Sequence, residues 1–238
     1  MEKELISMDF AALACDYDGT LATDGRVADA TLIALQRHIA SGRRLLLVTG
    51  REFDDLASIF PGVDLFDWVV AENGAHLARP DKSEERSLGT RPPEEFLQRL
   101  RECGVAPLSV GRVIVATCEP HHTTVSQVIR ELGLELQVIL NRGAVMVLPS
   151  GIDKATGLVA ALEAMALSPR SVVGIGDAEN DLPLLAVCGL GVAVANALPM
   201  LKASADLVTH GANGAGVIEL INRLLADDVG QSGPPRQP

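Results

Sequence analysis

Short apolar runs recur along this chain, and each stops abruptly at polar residues. Phe10 to Cys15 ends at Asp16-Tyr17-Asp18-Gly19-Thr20, and Leu45 to Val48 ends at Thr49-Gly50-Arg51. Trp68 to Ala71 ends at Glu72-Asn73-Gly74, and Ser171 to Ile175 ends at Gly176-Asp177. Gly191 to Val194 and Leu207-Val208 are further short runs. Between them lie segments with apolar residues at helical spacing: Ala28 to Ala40, Glu52 to Phe60, Lys154 to Ala166, Asn180 to Val187, Leu198 to Ala203 and Val217 to Ala226. A short apolar run bounded by turn residues reads as a buried strand, and a repeat of three to four as a helix. Their alternation predicts an α/β fold with a Rossmann-like, doubly wound parallel sheet.

The middle of the chain breaks this rhythm. A charged stretch from Arg79 to Arg91, where bases alternate with acids, reads as a solvated face. Pro92-Pro93 opens an amphipathic helix reaching Cys103, followed by a strand at Val113 to Ala116 and a helix from Thr124 to Leu132. Leu136 to Leu140 and Ala144 to Leu148 flank Asn141-Arg142-Gly143, which reads as a hairpin turn. A hairpin pairs antiparallel strands, unlike the flanking units. The expected division is therefore a discontinuous core at 1–76 and 151–226, an inserted α+β domain at 77–150, and a flexible, Pro- and Gly-rich tail at 227–238.

Composition narrows the picture. Apolar residues make up 47% of the 238 positions but aromatics only 3%, so the core has to be built from Ala, Val, Leu and Ile. That suits a parallel sheet covered by helices. A net charge of −11 argues against nucleic acid as a partner, which would need a basic face. Cys15, Cys103, Cys118 and Cys188 show no metal-binding or disulfide spacing and read as reduced core residues of a cytoplasmic protein. No run is long enough for a membrane span.

In an open parallel sheet, ligands bind beyond the carboxyl ends of the strands. Asp16, Asp18, Asp177 and Asp181 should meet at that edge. Side chains two apart in an extended chain point the same way, so Asp16 and Asp18 should face one point. A solvated Asp-Gly turn is the competing reading of that pair. Clustered carboxylates suit a hard divalent cation, Mg²⁺ above all. Thr49 and Gly50, near a helix start, suit an anion. Lys154 opens a helix and reaches the same edge, and Arg51 either binds phosphate or pairs with Glu52 or Asp54. A metal, a carboxylate, a Lys and helix N-termini together make a phosphoryl-transfer site. Asp16 would attack phosphorus to form an aspartyl-phosphate, and Asp18 would move the proton. Thr49 and Lys154 would hold the transferring oxygens.

These motifs, in this order, resemble the haloacid dehalogenase superfamily of phosphohydrolases, and within it the Cof-like group. The matching segments are Asp16-Tyr17-Asp18-Gly19-Thr20, Thr49, Lys154 and Gly176-Asp177-Ala178-Glu179-Asn180-Asp181, with Glu72-Asn73-Gly74-Ala75, Val194 to Ala197 and Asn213 to Val217 as secondary marks. The resemblance implies a mobile cap inserted between the second and third motifs, similar in its small size to the caps of archaeal phosphoglycolate phosphatases. It implies Mg²⁺ held by Asp16, Asp18 through its backbone carbonyl, and Asp177, with Asp181 steadying the set. It gives Asn180 a place beside the phosphate or beside Lys154.

The expected activity is hydrolysis of a small phosphorylated metabolite, a sugar phosphate or phosphoglycolate, by a monomer or homodimer. The alternatives are a phosphohexomutase on the same core and a non-catalytic protein that binds a phosphate ligand. Several polar residues have equally good structural readings. His121-His122 reads as the polar start of a helix, Asn196 and Asn213 as backbone caps, and Glu72 as a brace at the strand end or cap hinge.

Overall fold

The computed structural model describes residues 10–231. In chain order, β1 (Ala12–Asp16) is followed by α1 (Asp29–Ala40), β2 (Arg44–Val48), α2 (Phe53–Ile59) and β3 (Trp68–Ala71). Next come β4 (His76–Ala78), β5 (Glu85–Ser87), α3 (Glu94–Glu102), β6 (Ser109–Val110), β7 (Val115–Cys118) and α4 (His122–Glu131). The hairpin β8 (Leu136–Asn141) and β9 (Ala144–Pro149) leads to α5 (Lys154–Ala164) and β10 (Val172–Gly176). The chain closes with α6 (Leu182–Val187), β11 (Leu190–Ala193), α7 (Pro199–Ser204), β12 (Leu207–Val208) and α8 (Gly214–Gln231).

The main sheet has the order β12-β11-β10-β1-β2-β3-β4-β5, parallel from β12 to β3. Every residue of β1 is buried, as befits a central parallel strand covered on both faces. The register pairs Asp16 with Val48, Cys15 with Ile175 and Gly176 with Ala193, so the carboxyl ends of β1, β2, β10 and β11 share one edge. Helix α5 starts at that edge, where Asp153 and Thr156 form a reciprocal cap.

A second, four-stranded antiparallel sheet has the order β6-β7-β9-β8. One face packs Val115, Val145 and Val147 against Phe96, Leu100, Val125 and Val128 of α3 and α4. The other carries Ala116, Ile139, Met146 and Leu148, which pack with Ala75 and Ile152 of the main unit. This is a Rossmann-like core with an α+β cap.

Several segments differ from expectation. Residues 77–87, read as the insertion's beginning, form with His76 the strands β4 and β5, which add antiparallel to the edge of the main sheet. Leu77 and Ala78 are fully buried there, so these residues complete the core before the chain crosses to the cap. The strand expected from Val113 begins instead at Val115, because the amides of Val113 and Ile114 donate to the Glu72 carboxylate and not to a neighbouring strand. Helix α8 continues to Gln231, past the expected start of the tail at 227, and the remaining tail residues lie outside the described ones. Cys15 and Cys188 are core residues, whereas Cys103 is exposed beyond the end of α3 and Cys118 is half-buried. No helix is long and apolar enough to cross a membrane among the described residues.

Candidate active site

Lys154, the first residue of α5, is 1% exposed, and its ammonium lies 2.5 Å from Asp16 Oδ1 and 2.6 Å from Asp181 Oδ1. Burial alone would strip a lysine of its proton. The charges of Asp16 and Asp181 outweigh it and hold the ammonium above its ordinary range. Asp181 is also fixed from the other side, since its Oδ2 accepts the amides of Asp177 and Ala178 at 2.9 and 3.1 Å. Burial and the neighbouring charge of Asp181 push the Asp16 carboxyl well above its usual range, although Lys154 opposes them. The same two causes raise Asp177, against the pull of Arg142.

Asp16, Asp177 and Asp181 each offer a carboxylate oxygen within 4.8 Å of the others. Asp16 Oδ2 is buried with no hydrogen-bond partner. Three close carboxylates with an unpartnered oxygen form a hard donor set, which fits a divalent cation. Gly19 closes the wall of this cluster at φ +80°, and a Cβ there would lie 2.3 Å from Asp177 Oδ2. The Gly of the first motif is thus required both by its backbone angle and by the closeness of the carboxylate.

Asp18 does not join the cluster. The chain leaves the extended conformation after Asp16, where the Tyr17 carbonyl accepts amides from Leu21 and Ala22. The same-side rule for alternate residues therefore lapses, and Asp18 turns outward with its side chain 45% exposed. Its carboxylate takes both arms of Arg51, Nε at 2.7 Å and Nη2 at 2.9 Å, while Arg51 Nη1 reaches Asp55 at 2.9 Å. Arg51 thus pairs with neither Glu52 nor Asp54. Thr49 is buried at the end of β2; its amide is committed to the Val70 carbonyl, and its hydroxyl accepts the Arg51 amide at 3.1 Å. Gly50 faces the cap, where a Cβ would meet Met146 Sδ at 3.4 Å. A cavity of about 380 Å³ opens beside it, lined by Gly50, Arg51, Ser109, Ile114 and Ala116 among others.

Asn180 is buried in the cluster's wall, but its amide donates to Asn73 Oδ1 at 2.9 Å, leaving Lys154 to be oriented by carboxylates. The Asn196 side chain links Gly19 O and the Asn213 backbone amide, a backbone-bracing role for Asn196. Glu72, 1% exposed, accepts the amides of Arg112, Val113 and Ile114 at 2.8–2.9 Å and so ties the cap to the end of β3. His121 contacts Ala106 O and His122 lies 3.2 Å from Glu119, both within the cap.

Sequence reasoning missed Arg142. It stands at the tip of the β8–β9 hairpin with φ 45°, followed by Gly143 at φ 86°. Such a turn favours Asn or Gly in its first position, so an Arg there was the available signal. Its Nε donates to Asp177 Oδ2 at 2.8 Å and its Nη2 sits 2.5 Å from the same oxygen. Nη2 also donates to Asn196 O, and the Arg142 amide to Glu179. A cap residue thereby supplies positive charge directly to the carboxylate cluster.

Residues 13–100 and 141–221 match the family model described as haloacid dehalogenase-like hydrolase. Phosphoglycolate phosphatase 2 of Saccharolobus solfataricus is 30% identical over 92% of this chain and 94% of its own. A phosphoglycolate phosphatase of Methanothermobacter thermautotrophicus is 32% identical over 90% of this chain and 98% of its own. Among solved structures, a haloacid dehalogenase-like hydrolase from Bacteroides thetaiotaomicron superimposes with a TM-score of 0.75 at 22% identity, covering 90% of this chain and 99% of that one.

Proposed function

Since the chain belongs to the haloacid dehalogenase-like hydrolases, we propose that it is a Mg²⁺-dependent phosphomonoesterase acting on a small soluble phosphate ester of the phosphoglycolate or sugar phosphate type. The observation that carries this reading is the buried Lys154 bridge between Asp16 and Asp181, with Asp177 beside it. Four charged groups are taken out of water at one sheet edge, at a cost that function, not packing, accounts for.

In this reading Asp16 Oδ2, the oxygen without a partner, attacks phosphorus while the ester oxygen departs. Asp18, freed from Arg51 and protonated from solvent, gives that proton to the departing oxygen. Water then attacks the aspartyl-phosphate, Asp18 takes its proton, and phosphate leaves with the Asp16 carboxylate regenerated. Lys154, Thr49 and Gly50 hold the phosphoryl oxygens, and Asn180 fixes the wall behind them through Asn73. Asp16, Asp177 and Asp181, with the Asp18 backbone carbonyl, would hold Mg²⁺, which supplies charge neutralisation for the phosphoryl group. Residues 77–150 would act as the cap, the first of them lending strands to the core sheet. The enzyme would work in the cytoplasm, as a monomer or homodimer.

A phosphate-release screen over metabolite esters, with Mg²⁺ and with EDTA, tests this. Release of phosphate from at least one small ester, abolished by EDTA, is expected. Interconversion of a sugar phosphate without net release would make the protein a mutase, and no turnover of any ester would reduce it to a binding protein.

A further inference from the structure

The underside of the cap sheet is the roof above the carboxylate cluster. Cross-strand register puts Ala116, Met146 and Ile139 on one face, and Asn141 with Ala144 on that same face one step along. Met146 approaches Gly50, so this face looks down on the core. Its other polar side chains, Ser109 and Gln137, are tied to Glu52 and to the Ile152 carbonyl, and the hairpin tip adds Asn141 and Arg142. Arg99, Arg101 and Arg112, elsewhere on the cap, are tied to Glu131, Glu94 and Glu85.

Arg142 is held along one edge only. Nε and Nη2 are fixed by Asp177, Nη2 also by Asn196 O, and the Arg142 backbone by Glu179. Nη1, with two N–H donors, makes no hydrogen bond among the described residues, and the side chain is 44% exposed. Beside it, Asn141 Oδ1 is buried without a partner. A guanidinium pre-oriented along one edge and open along the other is suited to a planar anion, because little further freedom is lost on binding.

We propose that Arg142 is a specificity-determining residue that reads a carboxylate on the leaving group, so that the substrate class is a short phosphate ester bearing an acid group. This rests on the phosphatase reading above. A neutral leaving group would leave Nη1 to water, whereas a carboxylate one or two carbons from the ester oxygen would give it a charged partner. Asp177 then has a second task, to aim the guanidinium.

The test compares 2-phosphoglycolate with 2-hydroxyethyl phosphate, its neutral analogue of the same length, in the full-length enzyme with Mg²⁺. The wild type is expected to favour phosphoglycolate at least tenfold in kcat/KM. Arg142→Gln should bring that ratio close to one, chiefly through KM for phosphoglycolate, and Arg142→Lys should restore part of it. In the inactive Asp16→Asn background, adding Arg142→Gln should weaken phosphoglycolate binding at least tenfold by calorimetry. Equal losses on both esters, with the ratio unchanged, would overturn the proposal and leave Arg142 as a strut on Asp177. A wild type that hydrolyses other esters but does not favour phosphoglycolate would also overturn it, with the phosphatase reading intact. Failure on every ester would remove the phosphatase reading itself, and this inference with it.

Discussion

Lys154 and Asp16 are 138 residues apart in the chain, yet their charged atoms lie 2.5 Å from each other in a site from which both are almost wholly withdrawn from water. Asp181 shares the same ammonium at 2.6 Å. The pair is therefore an electrostatic unit, and removing the cation strands two buried carboxylates.

Replacing Lys154 by Met keeps the length and apolar stem but not the charge. Breaking a buried ion pair from one side costs about 3–5 kcal/mol. Lys154→Met should lower the free energy of unfolding in urea by about that amount and reduce phosphate release at least a hundredfold. Unchanged stability would mean that the two carboxylates do not depend on Lys154 for compensation.

Asp16→Asn should abolish turnover, because an amide cannot form the acyl-phosphate. Asp18→Asn should discriminate between substrates. Alkyl phosphates need a proton on the departing oxygen and should slow more than p-nitrophenyl phosphate, whose leaving group hardly needs one. Equal losses on both in steady-state assays would remove Asp18 from the acid role.

Glu72 holds residues 112–114 of the cap by three charge-assisted hydrogen bonds from backbone amides. Each such bond is worth about 1.5–3 kcal/mol net. In Glu72→Ala the amides of Arg112, Val113 and Ile114 should exchange with deuterium at least tenfold faster, with the β1 amides of the core unaffected. Exchange that stays at wild-type rates would show that packing of Ala75 against Ile114 is enough to hold the loop.

His76 gives the fold an acid-sensitive point away from the carboxylate cluster. It is 1% exposed, neither ring nitrogen has a hydrogen-bond partner, and Glu85 Oε2 is 3.9 Å away. Burial, and next the charge of Arg112, lower its pKa, while Glu72, Glu85 and Asp54 pull the other way. An unfolded histidine titrates near pH ~6.5, so below that pH the unfolded chain binds the proton first. Stability falls as pH drops from there, with a slope of at most about 1.4 kcal/mol per pH unit, and levels off below the folded value. Above pH ~6.5 this residue contributes no pH dependence. Urea unfolding at pH 7.5, 6.5 and 5.5 should show a loss that His76→Leu reduces. Parallel pH curves for the two proteins would place the titrating group elsewhere.

The order of strands and helices was legible in the sequence because fully buried parallel strands must be continuous apolar runs, and the helices between them must carry an apolar stripe. The carboxylates at the strand ends were legible for the same reason: Asp16 and Asp177 interrupt apolar runs where the chain has to turn. Local pattern alone also gave Arg142-Gly143 as a turn.

Only the tertiary structure decided what those groups touch. Packing of α5 against β3 carried Lys154 to Asp16 and Asp181, while a tight turn after Asp16 sent Asp18 to Arg51 instead of to the cluster. Residues 76–87 joined the core sheet because β3 offered a free edge, a fact about neighbours that no local window contains. Arg142 reached Asp177 only because the cap folds back over the core, so the meaning of a residue in a hairpin turn depended on what lay across the gap. Periodicity records which side of an element is dry. The partner of a charge is set by how whole elements are placed, and that placement follows from packing summed over the molecule.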